Sequence, residues 1–266
     1  MQTYFTLNTI TELSCFLIAL LCLLNNRKPI WRWFCLFIFI TCITEFTGIF
    51  LNKASQSNQW LYNGFIIFEI GFITWVFEGL FSQYQKSKML IILGTIVLTG
   101  FYIFESLRHG LLIFHSLTNN AESILFTVYS LYYFYLLLKD DDYTDLKVAP
   151  NFWWVAGVLF FYFGSTAVNI YRGIGVVNVK STDVNSVHGD TAKKPLGIIY
   201  NVKTTPVSTT SAKTGIKAPV KAPVKKQRTM KQVAVMYINN MLIIILYGCW
   251  TYSFICRRWL IKRSQI

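Results

Sequence analysis

All six glutamates of this 266-residue chain, Glu12, Glu45, Glu69, Glu78, Glu105 and Glu122, lie inside or at the ends of long apolar runs. A carboxyl in hydrocarbon is expensive, so such a residue is by default a candidate site for a cation, a proton or a ligand. Glu69 falls near the middle of its run and Glu45 in the outer half of another. Glu12, Glu105 and Glu122 fall nearer the outer ends, and Glu78 is close enough to the inner side to reach Lys86 or water. No Lys or Arg lies deep in any run to pair with them. An unpaired acid there either holds a proton or accepts bonds from neutral donors, for which Asn63, Thr44, Thr47, Tyr162, Asn169, Asn239 and Asn240 are available. Two readings follow. One is a polar cavity opening outward, with Glu69, Glu45, Asn63, Asn239 and Asn240 as its candidate ligand or proton residues. The other is a set of protonated glutamates gluing helices together; it is the preferred reading for the remaining four acids.

Other chemistries find less support. Asp141-Asp142-x-x-Asp145 matches a pattern that holds Mg²⁺ against a diphosphate, but membrane prenyltransferases carry two copies and this chain has one. A solvated acidic turn is the simpler reading. His109, His115 and His188 fall in loops, which argues against a zinc hydrolase built on intramembrane histidines, and the first two are six residues apart, on different helical faces. Phe163-Gly164-Ser165-Thr166 lacks a base in its own run and no Gly-x-Ser-x-Gly elbow occurs. No lysine in the last run is available for a Schiff base, and no glycine loop for phosphate. Cys15, Cys22, Cys35, Cys42, Cys249 and Cys256 form three pairs at seven-residue spacing, each on one helical face. Without His or acid partners they read as small packing residues. Neither cofactor nor metal is expected, and the chain reads as a non-enzyme.

The elements that must position these residues are membrane spans. Hydrophobic residues make up 54% of the chain and charged residues only 14%, against roughly 25% charged in a soluble domain. Crossing a hydrocarbon core takes about 20 apolar helical residues, and seven stretches approach this: 6–24, 33–51, 60–81, 89–105, 121–138, 152–171 and 233–256. Trp31, Trp33, Trp60, Tyr62, Trp153, Trp154 and Trp259 crowd their ends, where amphipathic rings suit the headgroup level. The opening residues show no basic region or cleavage site, so the first run reads as a retained span. With the amino terminus outside, the inner segments hold Arg27, Lys28, Arg32, Lys86, Lys88, Lys139, Lys147, Arg257, Arg258, Lys262 and Arg263, while the short outer loops hold only Lys53 and Arg108. Basic residues mark the cytoplasmic side, so the expectation is an all-α polytopic membrane protein of seven transmembrane helices, with the carboxyl terminus in the cytoplasm.

Three regions follow: spans one to six in 1–171, a basic low-complexity outer loop in 172–231, and span seven with a basic tail in 232–266. The loop carries twelve Lys or Arg against Asp183 and Asp190, so most of the net charge of +13 sits there. Lys225, Lys226, Arg228 and Lys231 lie close to the seventh span and pull against an outward placement. The repeated Lys-Ala-Pro-Val at 217–224 and the scarcity of large apolar residues predict an extended tether, with a short strand at 197–202. Anionic lipid or a surface polymer suits its charge; nucleic acid is not expected as a partner, because the basic charge is confined to this loop and the span flanks. Asn63, Ile66, Ile67, Gly71, Thr74 and Phe77 match Asn240, Ile243, Ile244, Gly248, Thr251 and Phe254, a faint internal repeat of a kind known in transporters.

Tyr62-Asn63 at the head of the third span, Glu69 one and a half to two turns later, Phe152-Trp153-Trp154 followed by 160–164, and Asn239-Asn240 opening the seventh span resemble a group of unassigned bacterial seven-span membrane proteins. The resemblance covers 6–171 and 233–256; the 172–231 insertion departs from it. Some of those proteins are thought to accompany sensor kinases. The resemblance implies a bacterial inner (plasma) membrane, a membrane signalling partner and a sensory role. The functional expectation is therefore a non-enzymatic sensor or partner-binding module. The alternative is a small-solute or proton-coupled transporter using the intramembrane glutamates.

Overall fold

The computed structural model describes residues 6–24, 29–82, 88–139, 145–184 and 230–263, with backbone alone for 172–184 and 230–232. Every element within them is helical: α1 (Leu7–Leu23), α2 (Pro29–Lys53), α3 (Gln59–Phe81), α4 (Lys88–His109), α5 (Ser116–Lys139), α6 (Pro150–Val184) and α7 (Met230–Arg263). Six of these are long and apolar enough to cross a membrane. The first, with 17 residues, is at the short limit of about 17 for a span, and it packs against α2 and α7 as an integral wall of the bundle. The protein is an all-α polytopic membrane protein.

Helix boundaries follow local chemistry. The Thr6 hydroxyl accepts from Thr9 N (3.2 Å), capping α1. Pro29 and Pro150 open α2 and α6, where a missing N–H costs nothing. Beyond the end of α4, Gly110 adopts φ +67° and donates its N–H to Ser106 O at 2.9 Å, a left-handed helix stop that suits glycine.

Each helix packs on its neighbours in sequence, α7 closes the ring onto α1, and α3 also touches α5. Asn8 Nδ2 donates to Asn240 Oδ1 (3.0 Å) near the starts of α1 and α7, while Arg258 Nη1 donates to Leu21 O (2.6 Å) near their ends. These two helices therefore run parallel. The end of the bundle where α1 begins is called the upper end below. Lys53 and Arg108 lie there; Arg32, Lys88, Lys139, Lys147, Arg257, Arg258, Lys262 and Arg263 lie at the lower end.

The exterior is oily. Leu21, Phe50, Ile92, Leu93, Ile96, Leu107 and Leu138 are among many exposed large apolar side chains, a surface that lipid accommodates and water does not. Close helix approach uses small residues. A Cβ on Gly157 would sit 2.9 Å from Cys249 Cβ and 3.1 Å from Leu246 O, so α6 and α7 nearly touch backbone to side chain. The cysteines fill space of this kind: Cys15, Cys35, Cys42 and Cys256 are buried and all six are free.

Several expectations need correction. Trp31 and Trp154 are 6% and 1% exposed, so they belong to the core and not to the headgroup belt; Trp33, Trp60 and Trp259 remain exposed near helix ends. The helix of the sixth span continues to Val184, so the expected tether does not begin at residue 172. The 197–202 strand, the Lys-Ala-Pro-Val repeat, His188, Lys86 and most of the acidic turn at 140–145 lie outside the described residues. Asp145, which is described, accepts from Lys147 N at 3.1 Å.

Candidate functional site

A chamber of about 260 Å³ opens among the upper halves of α1, α2, α3, α6 and α7, with Phe114 and Asn119 from the α4–α5 region over it. Three glutamates line it: Glu12, Glu45 and Glu69. Glu69 lies ~15 Å down α3 at 1.5 Å per residue, about halfway through a bilayer core. Its Oε1 accepts from the Tyr162 hydroxyl at 2.5 Å. Tyr162 is buried and held edge-on by Phe126 and Phe161, each 5.0 Å away between ring centres.

The Tyr62 hydroxyl faces the Glu45 carboxyl across the same chamber wall. Gly48 makes room for that arrangement, since a Cβ on it would lie 2.5 Å from the hydroxyl oxygen. Tyr62 is thus turned into the chamber and away from the headgroups where its position in the sequence placed it. Glu12 is 5% exposed, lies close enough to Glu45 for like charges to repel, and its Oε2 has no hydrogen-bond partner among the described residues.

A second chamber of about 250 Å³ shares Glu69, Phe114, Asn119 and Phe161 with the first. It is lined also by Ser123, Tyr162, Ser165, Asn169 and Asn239. Behind it stands Glu122, 1% exposed, near enough to Glu69 for mutual repulsion, with Oε1 unpartnered among the described residues. Four intramembrane carboxyls therefore gather as two neighbouring pairs, Glu12 with Glu45 and Glu69 with Glu122. Among the described residues no Lys, Arg or His lines either chamber. Paired acids without a cation repel one another, and a shared proton or a bound cation relieves that repulsion.

The lower boundary is a layer of rings. Phe37 and Trp250, which line the first chamber, contact Phe72 (4.2 Å, stacked) and Phe34 (6.3 Å, edge-on) respectively. Trp154 lies parallel to Trp250 at 6.2 Å. Beneath this layer a smaller cavity of about 190 Å³ is lined by Trp31, Phe34, Asn151, Trp154 and Arg257, among others.

Of the five residues singled out from the sequence, Glu69, Glu45 and Asn239 line the chambers. Asn63 does not. It is fully buried, its Nδ2 donates to Leu111 O and Ile113 O (2.8 Å each), and its Oδ1 accepts from His115 N (3.0 Å). It fixes the loop that carries Phe114. Asn240 ties α7 to Asn8, so the matched asparagines of the faint repeat make different bonds. Glu105 is a helix cap: its carboxyl accepts from Leu117 N (3.0 Å), Thr118 N (2.7 Å) and the Thr118 hydroxyl (2.7 Å) at the start of α5. His115 packs edge-on against Tyr102 at 4.9 Å, remote in role from His109 at the end of α4. Ser165, which has no base in its own run, shares a chamber with Glu69.

Sequence reasoning passed over Glu12 and Glu122 as helix glue, and missed Tyr62 and Tyr247 as chamber residues. Their depth in the apolar runs was visible; which way they faced was not. No family model, curated protein or solved structure matches this chain.

Proposed function

We propose that this protein is a non-enzymatic sensor module of a bacterial inner (plasma) membrane, taking a small ligand into the glutamate-lined chambers from outside. The observation that carries the reading is one-sidedness: the acidic chambers occupy the upper half of the bundle and end on a floor of packed rings. The basic residues of the short lower loops support a cytoplasmic placement of that end, which would turn the chambers outward. Ligand uptake that alters the packing of Phe37 and Trp250 would reach the lower half through ring contacts, where a membrane signalling partner could read it. The resemblance to seven-span proteins that accompany sensor kinases supports the same role. The basic 172–231 segment suits anionic lipid or a surface polymer, and the bilayer is the surrounding partner throughout.

Side-specific labelling tests this. Thr44 lines the first chamber, so Thr44→Cys should react with an impermeant thiol reagent added outside cells, above the background of the native cysteines, and not from the inside of inverted vesicles. Reaction from the inner side alone, or from neither side, would defeat the proposal. Co-purification of a kinase in mild detergent is the companion assay.

One observation favours the alternative of a small-solute or proton-coupled transporter. A single ring joins the acidic chambers to the lower cavity: Trp250, which lines the first chamber, meets Phe34 at 6.3 Å and Trp154 at 6.2 Å, and both of these line the lower cavity. Glu69→Gln would then abolish proton-linked uptake in a folded protein.

A further inference from the structure

We infer that the ligand is an organic ammonium ion, an amine carrying a hydrocarbon group, held between the paired carboxyls and the aromatic walls. The inference rests on the outward chamber of the proposed function and adds the chemical class of what enters it.

Charge comes first. Among the described residues the chamber walls present carboxyls, hydroxyls and asparagine amides and no basic side chain, so an anion would face three carboxyls with no opposite charge to offset them. The chamber also calls for a donor at Glu12 Oε2, which borders it without a hydrogen-bond partner among the described residues. A cation satisfies both requirements, and three kinds are available: a proton, a metal ion or an organic cation.

Geometry separates the last two. A hard metal ion needs several oxygens converging on one point at about 2.0–2.6 Å. Among the described residues no three His, Cys, Asp or Glu come together closely enough to hold one. The glutamates instead border a volume of about 260 Å³, room for a group with a hydrocarbon body. A proton needs no such room.

The rest of the wall completes the argument. Phe37, Tyr62, Phe65, Phe161, Tyr247 and Trp250 present rings to the same space as the carboxyls. Rings offer nothing to a hydrated metal ion, but an alkylammonium is attracted to their faces and its hydrocarbon part is sheltered by them. Carboxylates fix the ammonium end and rings enclose the remainder. The Tyr162 hydroxyl holds one oxygen of Glu69 and leaves the other for the ligand's ammonium group.

The test is equilibrium binding to the full chain in nanodiscs, with tritiated 2-phenylethylamine, putrescine and tetramethylammonium as probes. Uncharged 2-phenylethanol, NaCl and MgCl₂ serve as competitors. At least one of the three probes should bind saturably, and 2-phenylethanol should not displace it. Glu69→Gln and Glu45→Gln, isosteric and checked for a monodisperse size-exclusion profile, should each weaken it by about tenfold or more. Phe65→Leu, at a half-buried wall position, should weaken it about threefold. The inference is overturned if neither amine nor tetramethylammonium binds, if 2-phenylethanol competes equally, if Mg²⁺ or Na⁺ displaces the bound probe at stoichiometric levels, or if both glutamine variants keep full affinity. In each of those cases outside labelling of Thr44→Cys decides the underlying reading separately: a reactive cysteine leaves an outward ligand chamber of another chemistry, and an unreactive one removes both.

Discussion

Asn63 offers a sharp test because one side chain makes three hydrogen bonds to the loop at 111–115. In Asn63→Ala all three are lost. At about 1 kcal/mol net for each bond, the loop's closed state loses about 3 kcal/mol. The loop sits at the upper end of the bundle, so water can reach it once it lifts, and the cost appears as local opening more than global unfolding. A tenfold change corresponds to about 1.4 kcal/mol, so 3 kcal/mol raises the open population by about 100-fold. Hydrogen exchange of the His115 amide, whose N–H donates to Asn63 Oδ1, reads this directly. Asn63→Asp separates the contributions: it keeps an acceptor for His115 N and loses both donors to Leu111 and Ile113. His115 should stay better protected there than in the alanine variant. Because Phe114 rides on the same loop and lines both chambers, Thr44→Cys should label faster from outside in the alanine background. An exchange rate at His115 within about threefold of wild type in Asn63→Ala would refute the reasoning.

Gly48→Ala should displace Tyr62 from Glu45, lowering the melting temperature in detergent by an amount equivalent to about 1–3 kcal/mol of overpacking and weakening ligand binding as well; an unchanged Tm would place Tyr62 elsewhere. Glu105→Gln keeps one acceptor oxygen where three bonds now end, and should cost about 1–2 kcal/mol, seen as faster exchange at Leu117 and Thr118. Phe34→Leu thins the ring floor between the chambers and the lower cavity. Thr44→Cys in that background should gain reactivity from the inner side, and no gain would mean that the floor is sealed by other side chains. Amine binding should weaken as the medium is acidified, because protons compete for the same carboxyls; binding that strengthens in acid would contradict the assignment.

Much of the architecture was legible in the chain because the decisive physics is local. Whether 233–256 or 152–171 can cross hydrocarbon depends on the length and polarity of that stretch alone. The same locality made the six glutamates visible as costly and therefore informative.

Which of them meet was settled only by packing. In water, an amphipathic helix advertises its inner face through polar residues on the outer one; in lipid both faces are apolar, so α3 and α7 give no such signal. Glu12 and Glu122 could therefore be read as glue although they stand beside Glu45 and Glu69, and Asn63 could be read as a ligand residue although it clamps a loop. Trp154 and Tyr62 looked like headgroup anchors for the same reason, since amphipathic rings at span ends suit either place. Depth in the membrane is a property of the sequence; the direction a side chain faces belongs to the tertiary structure, because only contacts between helices distinguish the interior from the surrounding lipid.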